Sequence, residues 1–191
     1  DKLEKVKDSK KLYATFDEYD KIHKVLKIEN LASLNKYTRE GKSGEIIRIS
    51  EALHEKKIAN IADMIASDRK RKLILIAGPS SSGKTTFAQR LGIQLKVNGI
   101  QAVTLSMDNY FVSREETPKD EFGNYDFECL EAINLKLFNE QIESIINGEE
   151  VQVPIFDFVT GKPNYKSGEK IKLGKEDILI IEGIHGLNPT I

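Results

Sequence analysis

The residues best suited to chemistry lie in one short run, Gly78-Pro79-Ser80-Ser81-Ser82-Gly83-Lys84-Thr85-Thr86. Gly78, Gly83, Lys84 and Thr85 occupy the fixed positions of G-x-x-x-x-G-K-[ST], a phosphate-binding loop. A loop that wraps a phosphate must turn its backbone N–H groups inward, which needs small residues and permissive dihedrals. Gly78, Ser80, Ser81, Ser82 and Gly83 supply them. Lys84 adds a full positive charge suited to β- and γ-phosphates. Thr85 offers a hydroxyl to Mg²⁺, and Thr86 extends the start of a helix whose positive end faces the same phosphates. The chemistry implied is the binding of Mg²⁺ and a nucleoside triphosphate such as ATP.

Two carboxylates fit beside that loop. Asp108 follows an apolar strand, Ala102–Ser106, and Glu182 follows another, Ile178–Ile181. In parallel α/β sheets ligands bind outside the strand C-termini, so both residues arrive at the edge that holds the phosphate loop. Asp108 there suits a Mg²⁺ ligand or a proton acceptor for an attacking hydroxyl, and its other reading is a turn former. Glu182 suits the second acidic group of a Mg²⁺ site, reached directly or through water. His185 either touches a substrate or fills the turn after Glu182. Two segments place a carboxylate between aromatic rings, Tyr125-Asp126-Phe127 and Phe156-Asp157-Phe158. The second also reads as a β-hairpin with ordinary aromatic packing.

The elements that must position these groups are legible as patterns. Leu73–Ala77 has the length of a buried strand, and Phe87, Leu91 and Leu95 mark a helix after the loop. Asn98-Gly99 closes that helix. Further helices are expected at about 129–147, ended by Gly148 with Ile133, Leu137, Ile142 and Ile145 as its core face, and at 45–68, with Ile58, Ile61, Ala62 and Ile65 on one face. Val151–Ile155 reads as a strand that Pro154 restricts to an edge. Upstream, 15–26 and 30–37 read as shorter helices separated from 45–68 by the breaker Glu40-Gly41-Lys42-Ser43-Gly44. His23 and His54 sit on these helices without ligand-like neighbours. Residues 1 to about 13 read as a solvated lead-in, and Asp68–Lys72 as a basic boundary. Ser113–Asn124 reads as a solvated surface loop; Arg114 and Lys119 could reach a substrate or phosphate, but a loop this charged is usually just solvated. Two parts are expected: a helical appendage, 1–69, and a phosphate-loop domain, 70–191.

Composition narrows the rest. Of 191 residues 39% are hydrophobic and 31% charged, with a net charge of −1, so nothing global attracts nucleic acid or a membrane. The single Cys129 forms no internal disulfide or metal cluster. Neither a signal peptide nor a membrane-spanning run is present, and a soluble cytoplasmic protein is expected. The start at Asp1, without Met, and the end soon after Glu182-Gly183 lead us to expect a fragment, continuing past Ile191. An N-K-x-D stretch for guanine is absent, which disfavours a GTPase switch.

GPSSSGKTT, SMDNYF, YDFE, VPIFDFVTG and ILIIEGIHGLNP, in this order, resemble the uridine kinase / phosphoribulokinase family. More closely they resemble the subfamily in which a uridine kinase-like domain follows a module similar to part of threonyl-tRNA synthetase. The resemblance covers about 45–191. It implies an α/β fold: a phosphate-loop NTPase-type, mostly parallel sheet with helices on both faces, plus the N-terminal helical segment. It also implies Mg²⁺-dependent transfer of the ATP γ-phosphate to a hydroxyl, with a nucleoside such as uridine as acceptor. Lys84 matches the phosphate-loop lysine, Thr85 the Mg²⁺-binding hydroxyl, Asp108 the general base near the metal, and Glu182 the acidic residue at the metal. Asp126, with Tyr125, matches an aspartate that binds ribose hydroxyls, and Phe156 an aromatic of the nucleoside pocket, usually Tyr. Two positions depart. The phenol hydroxyl is lost at Phe156, and Gly161 stands where the pattern carries a base-reading histidine. Losing such hydrogen bonds relaxes or redirects specificity. The arginine-bearing lid of these kinases would lie beyond Ile191. Phosphoryl transfer to another small hydroxylated acceptor, such as a sugar phosphate, and a non-catalytic ATP-sensing or RNA-associated module are the competing readings.

Overall fold

The computed structural model describes residues 10–191. In chain order the main elements are α1 (Lys10–Leu26), α2 (Leu31–Arg39), α3 (Ser43–Ala66), β1 (Leu73–Ala77), α4 (Lys84–Val97), β2 (Ala102–Ser106), α5 (Leu135–Ile146), β3 (Val151–Gln152), β4 (Ile155–Asp157), β5 (Lys162–Asn164), β6 (Lys170–Ile171) and β7 (Ile178–Gly183). Short 3₁₀ turns cover Met107–Tyr110 and Leu130–Ala132. The chain divides into two compact units, one ending at Lys57 and one running from Ile58 to Ile191. No helix among the described residues is long and apolar enough to cross a membrane.

The first unit is helical. Asn30 caps α2 by accepting from the Ser33 N–H at 2.9 Å, while Ser33 Oγ accepts from the Asn30 N–H at 3.2 Å. This reciprocal box satisfies two of the helix's orphan donors. No residue from 13 to 57 is buried. Tyr13, Phe16 and Tyr19 stay 57–59% exposed on α1. Phe16, Tyr19, His23 and Leu26 recur at helical spacing along α1, and the Tyr19 and His23 rings lie 6.3 Å apart. An exposed Glu18–Lys57 ion pair at 2.6 Å adds little stability.

The second unit is built on β7. Its three-stranded sheet has the order β1-β7-β2, parallel throughout. All six β7 residues are buried, and the apolar run Ile178–Ile181 suits the centre of a parallel sheet. Side chains alternate across the sheet. Ile178 and Ile180 pack with Ile58, Ala62 and Ile65 of α3 and with Ala88, Leu91 and Leu95 of α4. Leu179 and Ile181 pack on the other face with Phe138, Ile142 and Ile145 of α5. Each such side chain contributes about 1.5–3 kcal/mol on burial, so β7 ties both layers together. The expected α/β sheet with helices on both faces is therefore present.

Two expected elements differ. The helix expected from 129 begins at Leu135, because Asn134 caps it, accepting from the Leu137 N–H at 3.1 Å. The preceding residues form a 3₁₀ turn, and Ile133 makes a β-bridge to Phe111. The buried face of α5 accordingly carries Phe138, with Leu137 only part-buried. The strand expected over 151–155 is broken. β3 pairs with β6, whereas β4 pairs with β5, both antiparallel. Pro154 has no N–H to give a continuous ladder, and the chain changes partner there.

Candidate active site

The phosphate loop joins β1 to α4, and its backbone carries the conformations its sequence allows. Gly83 caps α4 in the left-handed region at φ 85°, and Ser81 sits there too at φ 58°. A left-handed serine is uncommon, and such conformations concentrate at binding loops. A Cβ on Gly78 would stand 2.8 Å from Ser82 Oγ and 3.3 Å from Lys84 Cγ, so any larger residue there would push the Ser82 and Lys84 side chains aside. Lys84 Nζ donates to Pro79 O at 2.9 Å across the loop.

The acidic pair follows from the sheet register. Ser106 of β2 and Ile76 of β1 both register with Glu182 of β7. Glu182 is only 3% exposed, and its Oε1 accepts from Thr85 Oγ1 at 3.1 Å. Asp108 lies in the 3₁₀ turn after β2, its N–H directed at Ser106 Oγ at 3.4 Å. Met107, buried just before it, packs directly over Gly183. Burial raises the Asp108 carboxyl above its ordinary value, the Glu182 charge adds to this, and Lys84 opposes it. Three of the groups expected to act together thus sense one another electrostatically.

Ser80, Lys84 and Asp108 form one side of a cavity of about 360 Å³. Its remaining wall is largely aromatic. Phe111 stacks edge-on against Phe127 at 5.7 Å and Phe156 at 5.4 Å, and Phe156 meets Phe158 at 5.0 Å. Arg114, Glu128 and Ile184 complete the lining. Phe156 is thereby both core and cavity wall, at 4% exposure. Tyr125, Asp126 and His185 are not among the lining residues. Asp126 Oδ1 accepts from the Glu128 N–H at 2.9 Å, closing a local turn. Tyr125 is 40% exposed and lies under Lys119 Nζ, 5.2 Å from the ring centroid. His185 Nε2 is buried without a hydrogen-bond partner among the described residues.

Sequence reasoning discounted Arg114 as part of a solvated loop, and the structure corrects this. Arg114 N–H donates to Gly161 O at 2.8 Å, and its Nη2 donates to Phe158 O at 3.0 Å. A Cβ at position 161 would meet Arg114 Nε at 2.7 Å and Cζ at 2.9 Å. Gly161 also holds φ at 69°, so a side chain is excluded there on two counts. The departure from histidine at this position goes with an arginine occupying the same volume. No local signal reveals it, since the two residues are far apart in the chain. Tyr110, beside Asp108, is structural: its hydroxyl donates to Gln141 Oε1 at 2.8 Å, and burial pushes its titration far upward.

Comparison with known proteins agrees with this geometry. A family model described as "Phosphoribulokinase / Uridine kinase family" matches residues 73–190. A uridine kinase from Mycoplasma genitalium is 34% identical over 118 residues, covering 61% of this chain and 53% of the relative. One from Ureaplasma parvum is 30% identical over 115 residues, covering 60% and 54%. The chain spans about half the length of these curated relatives. A solved structure described as a possible uridine kinase from Bacillus stearothermophilus superposes with a TM-score of 0.56 at 25% identity, covering 67% of this chain and 70% of that one. A D-glycerate 3-kinase from Cryptococcus neoformans shares the fold, with a TM-score of 0.52 at 17% identity over 69% of this chain and 52% of that one. The phosphate loop, the acidic pair at the ends of β2 and β7, and the match over residues 73–190 make this chain a member of the phosphoribulokinase/uridine kinase family.

Proposed function

We propose that the chain transfers the γ-phosphate of ATP to a hydroxyl of a small acceptor. The observation that carries this is the shared cavity: Lys84 and Asp108 stand on one side, and an aromatic wall able to hold an acceptor stands on the other. Backbone N–H groups of residues 80–85 and the N-terminus of α4 hold the phosphates. Lys84 neutralises them, exchanging its bond to Pro79 O for phosphate oxygens.

Mg²⁺ suits the donors present. Thr85 Oγ1, Glu182 and Asp108 are hard oxygen ligands, and Mg²⁺ takes few protein ligands beside water and phosphate. When bound, the ion neutralises charge on the phosphates. Asp108 orients the attacking hydroxyl and accepts its proton. Its raised affinity for protons suits that task. Because the transition state of phosphoryl transfer is largely loose, positioning outweighs base strength.

The acceptor reading follows the relatives: a nucleoside such as uridine, its base against Phe156 and Phe158, with Tyr125, Asp126 and His185 as further candidates for contact. The kinase part is residues 70–191 together with the end of α3, whose Ile58, Ala62 and Ile65 pack with β7, and the rest of 1–69 is an appendage, in the manner of the subfamily joined to a threonyl-tRNA synthetase-like module. The second reading, an acceptor such as a sugar phosphate, is favoured by one observation, the guanidinium of Arg114 in the cavity wall. The test is ADP release from Mg²⁺-ATP with uridine, ribose 5-phosphate or no acceptor. Acceptor-dependent release is expected. Release that no acceptor raises, together with nucleotide-dependent binding of a protein or RNA partner, would replace catalysis by a sensing role.

A further inference from the structure

We propose that Arg114 determines acceptor specificity, selecting a hydroxylated acceptor that also carries an anionic group, a carboxylate or a phosphate. This rests on the phosphotransfer reading of the cavity and, of its two acceptor readings, takes the anionic acceptor over the neutral nucleoside.

The arginine is built in rather than waving in solvent. Its main chain is fixed by the bond from its N–H to Gly161 O, and its head by the bond from Nη2 to Phe158 O. The stem and head lie on Gly161 so closely that a methyl group there would overlap Nε and Cζ. The turn beneath is itself locked. Gly161 N–H donates to Asp157 O at 2.7 Å. The Asp157 carboxylate accepts from the Val159 N–H at 2.9 Å and from Thr160 Oγ1 at 2.8 Å. Rigid seating means that little rotamer entropy remains to be lost when a ligand arrives.

Charge then decides what the seat is for. A guanidinium offers donors only, and Phe158 O takes one of them. Asp157, beside Phe158 in the seat, directs its oxygens into its own turn, and of the two acids that follow Arg114, Glu116 accepts from the Ser113 N–H and Oγ while Glu115 is exposed. Among the described residues no carboxylate lies within ion-pair distance of Arg114. Of the acids lining the cavity, Asp108 is engaged electrostatically with Glu182 and Lys84, while Glu128 is exposed. A cation without a partner on an aromatic wall, partly shielded from water, is best matched by a planar or tetrahedral oxyanion, which it binds in fork geometry. Because Arg114 and Asp108 line one cavity, an acceptor held by its anion presents its hydroxyl toward Asp108. A neutral polyol or nucleoside gains no such anchor.

Matched acceptors test this: ribose 5-phosphate against ribose, and glycerate against glycerol, with uridine as the neutral nucleoside. Binding is measured by calorimetry in the presence of Mg²⁺ and a non-hydrolysable ATP analogue, for the wild type, Arg114→Gln and Arg114→Lys. Thermal melting checks that both variants fold. In the wild type at least one anionic acceptor is expected to bind tenfold or more tightly than its neutral partner and than uridine. The phosphate and carboxylate pairs show which oxyanion the site prefers. Arg114→Gln is expected to abolish the preference, and Arg114→Lys, which keeps the charge but loses the fork, to retain part of it. No preference for charge in the wild type, including no binding of any acceptor, overturns the proposal. So does a preference that survives Arg114→Gln. A preference that depends on Arg114 without ADP release from any acceptor supports Arg114 as an anion site and counts against the phosphotransfer reading instead.

Discussion

Replacing Gly183 by alanine would put a methyl group 2.7 Å from Met107 Cβ, 2.7 Å from its Sδ and 2.8 Å from its Cγ. Carbon atoms in contact prefer about 3.5–4.0 Å, so Met107 or the strand must move. β7 cannot yield easily, because it is hydrogen-bonded to β1 on one side and β2 on the other. Met107 is 1% exposed, and one of the crowded atoms is its own Cβ, so a change of rotamer alone does not relieve the overlap. Overpacking of this kind costs about 1–3 kcal/mol. For a protein of this size each kcal/mol corresponds to roughly 2–4 °C in Tm. The displacement also reaches Asp108, the next residue, so turnover is expected to fall more than ATP affinity. Differential scanning calorimetry, ATP titration and a turnover assay read the three quantities. A double-mutant cycle sharpens the test. On a Met107→Gly background, which removes Cβ together with Cγ and Sδ, the methyl group finds room, and the added cost of Gly183→Ala should drop below about 1 kcal/mol. Equal cost on both backgrounds would refute the proposed contact as the reason for glycine at 183.

Three further substitutions probe the site from other directions. Burial and the Glu182 charge raise the Asp108 carboxyl, so the folded chain binds this proton more tightly than the unfolded chain and stability falls as pH rises through the raised value. In metal-free buffer Asp108→Asn is therefore expected to gain stability relative to the wild type on going from acidic to neutral pH, while losing turnover; a difference independent of pH in denaturant titrations would contradict the raised value. Thr85→Val removes the donor to the buried Glu182 and should cost about 1–3 kcal/mol in urea unfolding, whereas no loss would mean the 3.1 Å bond contributes nothing. Tyr110→Phe leaves Gln141 Oε1 without its donor and should cost about 1 kcal/mol with turnover retained, because Tyr110 does not line the cavity; a large loss of turnover would assign it a direct role.

Where sequence and structure agree, the signal is local and contiguous. The phosphate loop needs strand, turn and helix within residues 73–97, and each announces itself by apolar run, glycine or period. β2 and β7 are legible for the same reason, and parallel strands ending at one edge bring Asp108 and Glu182 beside Thr85 and Lys84. Legibility fails where a distant partner decides. The start of α5 depends on Asn134 outcompeting the apolar residues before it. The break between β3 and β4 depends on which strand each half pairs with, beyond what Pro154 alone specifies. Arg114 looked solvated because its loop is highly charged, and its seat at Gly161 exists only in three dimensions. The Phe156-Asp157-Phe158 segment also reads as ordinary packing, and Phe111, Phe127 and Phe158 become a cavity wall only once β4 and the segment after β2 come together.

The central claim is that the loop at 78–85 binds the phosphates of a nucleotide and that Lys84 is the charge on which this depends. Titration calorimetry of Mg²⁺-ATP into the wild type and Lys84→Ala tests it most directly. Lys84 donates to a single backbone carbonyl and lies at the exposed mouth of the loop, so its removal should leave folding intact. The account predicts saturable binding to the wild type and loss of most of that affinity in the variant. Equal affinity in both proteins would contradict it.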